Sequence, residues 1–326
     1  MMEHFRYKIY GLVLRSNQPL PAPQADDDAP VDVEIDIAKA PVPNLEWSGS
    51  EPIYRGTESL WHLDDETWRL GYTDHRSGAR WDITCEWGAQ ITVRWMEGIS
   101  VPDIGTVLVN SALAVALHLR GIPCLHASGV LVSERAALLL GPSGAGKSTT
   151  AAALMAAGNA LLTDDIAALD LEPQRVLVYP GHPRLRLLAD SADAVNGRFD
   201  VLHPVWVDPG MSRKRYLDPA TAAAAARAAS RLAVIYVLTP RRVGPHQPAI
   251  TALEPREALG HLLACTYASG WLDARRRARL FRCLARVTEL VPVRRVDRVD
   301  GLGDLPRLAR LLSADADLIA APCLPR

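Results

Sequence analysis

The stretch GPSGAGKSTT, residues 141–150, decides the reading of this chain. It has the form Gly141-x-x-x-x-Gly146-Lys147-Ser148, the spacing of a phosphate-binding P-loop. Glycines let the backbone turn tightly and aim successive N–H groups at phosphate oxygens; the helix that follows adds the positive end of its dipole. In such a loop Lys147 bridges the β and γ phosphates of a nucleotide and the Ser148 hydroxyl ligates Mg²⁺. Ser143, Gly144 and Ala145 contribute backbone contacts, and Thr149 completes the nucleotide-binding run. The loop alone leaves open what becomes of the phosphate, because motors, switches, transporter subunits and kinases all carry one.

Its surroundings have the required pattern. The apolar run RAALLLG enters the loop, SGVLVS reads as a strand before it, STTAAALMAAG as the helix after it, and NALLTDD as a further buried strand. Asp164 and Asp165 close that last strand. Adjacent parallel strands of a βαβ unit deliver their C-terminal ends to one edge of a sheet, so both carboxylates are expected near the nucleotide. Phosphoryl transfer to a hydroxyl uses one acid to hold Mg²⁺ and one to take the acceptor proton. Neighbouring carboxylates also repel, which raises one pKa toward a useful range for a base. The residues alone leave three readings of the pair: a surface loop, a single magnesium ligand, or a ligand plus a base. His126 opens the strand ahead of the P-loop strand; a lone histidine is more often structural than catalytic.

The rest of the chain bounds the function. Its 326 residues suggest about two domains, and 48% hydrophobic residues supply a packed core. A net charge of -1 gives no electrostatic footprint for nucleic acid. The N-terminus has no uninterrupted apolar core of signal-peptide type, and no apolar window long enough to span a membrane is read, so no membrane partner is expected. Five scattered cysteines without a CxxC pair read as reduced thiols of a cytoplasmic protein. Residues 1–102 are β-rich: DVEIDI, RWDITCEW and QITVRW alternate apolar and polar residues, with Gly88-Ala89 as a hairpin turn. Trp47, Trp61, Trp68, Trp81, Trp87 and Trp95 are read as the core of that sheet, and the domain as a substrate-docking unit. Residues 103–326 form the second domain. It has helices at 103–121, 219–231 (Ala-rich), 255–267 and 273–290, and a buried strand at 232–240. The 273–290 helix sets Arg275, Arg279, Arg282 and Arg286 opposite Leu280, Phe281, Leu284 and Val287. Arg184 and Arg186 alternate on a strand, so both are expected to face the site, where guanidinium forks suit phosphate or carboxylate. Arg213, Lys214 and Arg215 form a basic cluster suited to ATP or a peptide carboxylate, and Tyr216 beside them to stacking on adenine.

LHASGVLV, LLLGPSGAGKSTTAAALMAAG and NALLTDDIAAL, taken in order, resemble the C-terminal catalytic domain of HPr kinase/phosphorylase over residues 126–170. The resemblance implies an α/β P-loop kinase core with ATP and Mg²⁺. It makes Asp164 the general base toward an acceptor serine, Lys147 a phosphate ligand, Ser148 and Asp165 neighbours of Mg²⁺, and His126 a supporting residue near the phosphates. Lys147 and Ser148 are followed here by Thr149 where HPr kinases usually have Glu, and their Glu-Ile-Arg-Gly-type signature is missing. VYPGHPRLRL (178–187), RKRYLD (213–218) and the opening YGLVLRSNQPLPAP look instead like the HPr-kinase-related enzymes of lasso-peptide operons, which phosphorylate a serine of a ribosomal precursor peptide at its C-terminus. The resemblance leaves room for a homo-oligomer. Two other expectations stand beside the peptide kinase. One is an HPr serine kinase/phosphorylase or a kinase of free serine; the other, of a different class, is a P-loop ATPase or nucleotide-switched binding module.

Overall fold

The computed structural model describes residues 4–26, 28–42, 52–55, 58–73, 80–96, 98–196, 198–207, 212–219, 225–241 and 247–320. The fold is mixed α/β, and its contacts divide it into two compact units, Met1–Ile122 with Trp206–Met211 and Ala268–Arg279, and Pro123–Val205 with Ser212–Tyr267 and Leu280–Arg326.

The first unit is an eight-stranded sheet. Its strands are β1 (Phe5–Ile9), β2 (Leu12–Ser16), β3 (Val33–Lys39), β4 (Tyr54–Arg55), β5 (Ser59–His62), β6 (Thr67–Thr73), β7 (Arg80–Glu86) and β8 (Gln90–Trp95), in the order β1-β2-β3-β8-β7-β6-β5-β4. Alternation puts Trp68, Trp81, Trp61 and Trp95 inside, each less than a tenth exposed. Trp87 is 69% exposed because it occupies the hairpin turn, not a strand. The turn is Glu86–Ala89, closed by Ala89 N–H to Glu86 O at 2.9 Å, with Trp87 and Gly88 both left-handed, one residue earlier than the Gly88-Ala89 expectation. Trp47 lies outside the described residues.

A helix follows in three segments, α1 (Val101–Val107), a π-turn (Leu108–Ala112) and α2 (Leu113–Leu119). Ser100 caps it by accepting the Asp103 N–H at 3.1 Å. Contrary to the sequence reading, these 19 residues are long and apolar enough to cross a membrane, but 89% of the window is buried inside the protein, as a core helix. The π-turn brings Ser111 to Glu58, whose Oε1 accepts its hydroxyl at 3.0 Å. Burial, opposed by that bond, pushes the Glu58 carboxyl up to about 7. A raised folded pKa stabilises fully below the ordinary value of 4.5, and that contribution is lost as pH rises through about 7. Chemical denaturation at pH 5 and pH 8 is therefore expected to show a loss of up to about 3 kcal/mol in the wild type. Glu58→Gln is expected to flatten that difference.

The second unit holds β9 (Cys124–Val132), β10 (Arg135–Leu140), α3 (Lys147–Ala156), β11 (Ala160–Thr163), β12 (Ile166–Leu171), β13 (Val176–Val178), β14 (Leu185–Leu187), α4 (Ala189–Asn196), β15 (His203–Pro204), β16 (Arg215–Leu217), β17 (Ser230–Leu238), β18 (Ala249–Ala252), α5 (Pro255–Ala264), the distal part of α6 (Ala274–Leu290), β19 (Val293–Asp297) and α7 (Leu305–Ala320). β10, β9, β12, β13 and β17 pair successively, and β17 pairs again with β10, so the five strands close a ring. β10, β17 and β19 run parallel and end together, Leu140 opposite Val237 and Leu238 opposite Val296. The alanines of α3 let it lie close against β9, β10 and α7, in a core with Val130, Leu139, Tyr236 and Leu312.

Two helix expectations change. The Ala-rich 219–231 segment is not helical where it is described: Ala225 bridges Leu161 and Ser230 already opens β17, so pairing overrides helix propensity there. Residues 220–224 lie outside the described residues. In α6, Leu280, Leu284 and Val287 are buried as expected, but Phe281 is 48% exposed because it lies one position off the apolar stripe.

Candidate functional site

β10 ends at Leu140, and the glycine loop follows at once. Gly141, Gly144 and Gly146 all have positive φ (152°, 78° and 85°), backbone that a side chain would strain. Gly146 also caps α3 in the left-handed conformation. Ser143, Gly144 and Ala145 lie within the loop; the Ala145 N–H closes it on Pro142 O at 3.1 Å. Lys147 is folded back on this loop, its Nζ donating to Gly141 O at 2.9 Å and Pro142 O at 3.3 Å. Burial lowers its pKa, and Cys265, Asp165 and Asp164 pull it back up. Thr149 is the third residue of the helix, its hydroxyl bonded to Ser191 at 3.0 Å.

β9 lies between β10 and β11, so the two strands that carry the loop and the Asp pair are parallel without being adjacent. β9 pairs antiparallel first with β11, Gly129 opposite Thr163, and then with β12, His126 opposite Ile166. Asp164 and Asp165 fill the break between these two stretches. Asp165 leaves strand geometry altogether at φ 74°, and Ile166 N–H returns to Asp164 O at 3.0 Å. Leu140 stands opposite Ala127, so loop, break and the His126–Ser128 stretch converge.

The two carboxylates have different company. Asp164 is 2% exposed and accepts from Ser128 Oγ at 2.6 Å and Ser148 Oγ at 2.9 Å on Oδ1, and from the Arg186 N–H at 3.1 Å on Oδ2. Asp165 faces Arg186 Nη2 at 2.7 Å and His126 Nδ1 at 3.2 Å, with about a fifth of its side chain exposed. Burial alone would raise the Asp165 pKa, but the Arg186 guanidinium and His126 hold it well below the usual carboxylate range. Burial likewise works against the charge on Arg186, and Asp165 and Asp164 more than restore it. Ser148 is thus bonded to Asp164, whereas the resemblance grouped it with Asp165 near the metal.

Ser128 escaped the sequence reading. The signal was available: in a strand, residues two apart share a face, so His126 brings Ser128 with it. His182 was also missed. It is 2% exposed, its ring lies 5.4 Å from Tyr216, and burial followed by Arg186 and Arg184 pushes its pKa down to about 3, so it is neutral at pH 7.

The basic residues divide. Arg186, within β14, faces the site, but Arg184 precedes the strand and pairs with Asp218 at 2.5 Å while lying 5.0 Å from the Tyr216 ring. Tyr216 is 5% exposed beneath Arg184 and beside His182, so its ring is not an open stacking platform. Arg215 points away from the site. It donates to Asp200 O at 2.8 Å and Leu202 O at 3.0 Å and lies over Phe199. Lys214 is exposed, and its charge acts on both Asp165 and Lys147. Arg213 is exposed, and no bond to it is seen among the described residues. No cluster of three or more His, Cys, Asp or Glu suited to a metal occurs among the described residues. The Ser148–Asp164 oxygen pair beside Lys147 nevertheless fits a hard cation carried in with phosphate oxygens, which takes few protein ligands. The described cysteines are free thiols; Cys85, Cys124 and Cys265 are buried, and Cys323 lies outside the described residues.

No protein-family model matches the chain, and no curated protein matches it. Among solved structures, the Hpr(Ser) kinase/phosphatase from Coxiella burnetii is similar over 60% of this chain and 96% of that one, with 14% identical residues and a TM-score of 0.32.

Proposed function

We propose that this protein is an ATP- and Mg²⁺-dependent kinase that phosphorylates a serine hydroxyl of a ribosomal precursor peptide, of the lasso-peptide kind. The supporting observation is the pair of adjacent carboxylates at the glycine loop, one bonded to Ser148 and the other turned to a histidine and an arginine. The company they keep favours the reverse of the roles that resemblance suggested. Asp164 and Ser148 would hold Mg²⁺, which when bound neutralises charge on the phosphates. Asp165, the more open of the two, would take the acceptor proton once the nucleotide phosphates draw Arg186 from it and relieve the ion pair that holds its pKa down.

In the reaction the serine O–H gives its proton to Asp165 as its oxygen forms a bond to the γ-phosphorus. The bond from that phosphorus to the bridging oxygen breaks, and its electron pair leaves on ADP. Lys147 and the loop N–H groups would bind the phosphates; Arg186 would supply a fork of donors for the charge on the transferring group. His126 would orient Asp165, and exposed Lys214 would meet phosphate or the terminal carboxylate of the peptide. Lysine-to-carboxylate capture suits a C-terminal serine, whose own carboxylate lies next to its hydroxyl.

The test is the intact mass of a precursor peptide with a C-terminal serine after incubation with enzyme, ATP and Mg²⁺. A gain of one phosphoryl group on that serine is expected. ATP hydrolysed equally with and without peptide, with no gain, would replace this reading with an ATPase or nucleotide switch. Transfer to HPr or to free serine instead would move the acceptor.

A further inference from the structure

A second cationic feature adjoins the glycine loop and has no part in the chemistry above. Arg241 follows β17, which runs parallel to β10 beside it, and Arg298 follows β19, the next parallel strand. The space next to Gly146 is where they meet: a Cβ built there would lie 3.0 Å from Arg241 Nη2 and 3.4 Å from Arg298 Nη1. Arg298 is 5% exposed. Its Nη2 donates to Thr239 O at 2.7 Å, its Nε has no hydrogen-bond partner, and among the described residues no carboxylate ion-pairs with it. Among the described residues, Arg241 meets a carboxylate only at 3.8 Å, exposed Asp300. Burial, then the repulsion of Arg241, lowers the Arg298 pKa to about 10. A buried guanidinium facing a second cation costs stability unless an anion joins them.

The cleft they share is narrow, about 20 Å³, which limits what part of an anion can enter it. One wall is Gly146 and Thr149, the loop and the first turn of α3. The opposite wall is apolar, Leu302, Leu305 and Leu308, with Asp304 at its side. A narrow cleft that joins a phosphate loop to two guanidiniums suits the oxygens of one phosphate group, with the leucines closing its far side. Crevices beyond the carboxyl ends of parallel strands are where ligands bind.

We propose that Arg241 and Arg298 form an anion subsite contiguous with the glycine loop, taking oxygens of the α-phosphate of a nucleotide held by that loop. This rests on the nucleotide-binding part of the function proposed above. It assigns these arginines to affinity for nucleotide, not to transfer.

The experiment measures binding of ADP, pyrophosphate and inorganic phosphate by calorimetry, and the apo melting temperature, for the wild type, Arg298→Met, Arg241→Met and Lys147→Ala. Loss of charge-assisted bonds is expected to weaken ADP about tenfold to hundredfold in each arginine variant. Arg298→Met alone is also expected to melt no lower than the wild type without ligand, because it removes an uncompensated buried charge. Unchanged ADP affinity in both arginine variants would overturn the subsite. So would inorganic phosphate that binds the wild type together with ADP and is lost only in the arginine variants, since the cations would then serve a separate anion. A lower apo melting temperature with ADP affinity intact would assign Arg298 to structure. Failure of the wild type to bind ADP, with Lys147→Ala no different, would overturn the nucleotide reading itself.

Discussion

Asp165→Asn is expected to slow phosphoryl transfer by about 10²–10⁴-fold while leaving ADP affinity within a few-fold of the wild type. The amide cannot accept the serine proton, yet it keeps the size of the side chain. It also keeps the backbone, because asparagine tolerates the left-handed conformation that Asp165 adopts at φ 74°. Asp164→Asn is expected to behave differently. That carboxylate is buried and receives two hydroxyls and an N–H, so its loss should weaken Mg²⁺-dependent ADP binding as well as transfer. Single-turnover rates and calorimetric affinities for the two variants separate the roles. If Asp164→Asn keeps metal-dependent affinity and loses only transfer, while Asp165→Asn loses affinity, the assignment suggested by the family resemblance is restored.

The second large effect is on stability. Trp68→Ala is expected to cost about 3–5 kcal/mol. Trp68 is fully buried in β6, its ring stacked on His62 with centroids 4.2 Å apart and the Arg276 guanidinium 5.1 Å away on the ring. No neighbour can refill a void of that size without moving a strand. Thermal melting followed by near-UV circular dichroism reads it directly. A fall of less than about 1 kcal/mol would show that the tryptophans of this sheet are not its structural core.

That core was largely legible in advance, because strand alternation marks the inward face residue by residue. Trp61, Trp68, Trp81 and Trp95 followed the rule; Trp87 did not, because the turn began one residue early. The loop and the Asp pair were legible for the same local reason: chemistry and spacing lie within a single short segment. What the sequence concealed is pairing between distant segments. Nothing in NALLTDD shows that β9 stands between it and the loop strand, and nothing in PATAAAAARAASR shows that a bridge to Leu161 competes with its helix propensity. Arg298 lies far along the chain from Gly146 and reaches it only because β19 joins the parallel set.

The insertion of β9 has a consequence for how change can accumulate here. One face of that strand carries His126 and Ser128 toward the carboxylates and then Val130 and Val132 into the core under α3. A single-residue slip of β9 against its neighbours would exchange all four at once, turning Leu125 and Ala127 toward Asp164 and Asp165. Site and core therefore share one reading frame. Insertions and deletions can be absorbed at the Ser133–Glu134 turn, but one between His126 and Ser128 shifts site and core together.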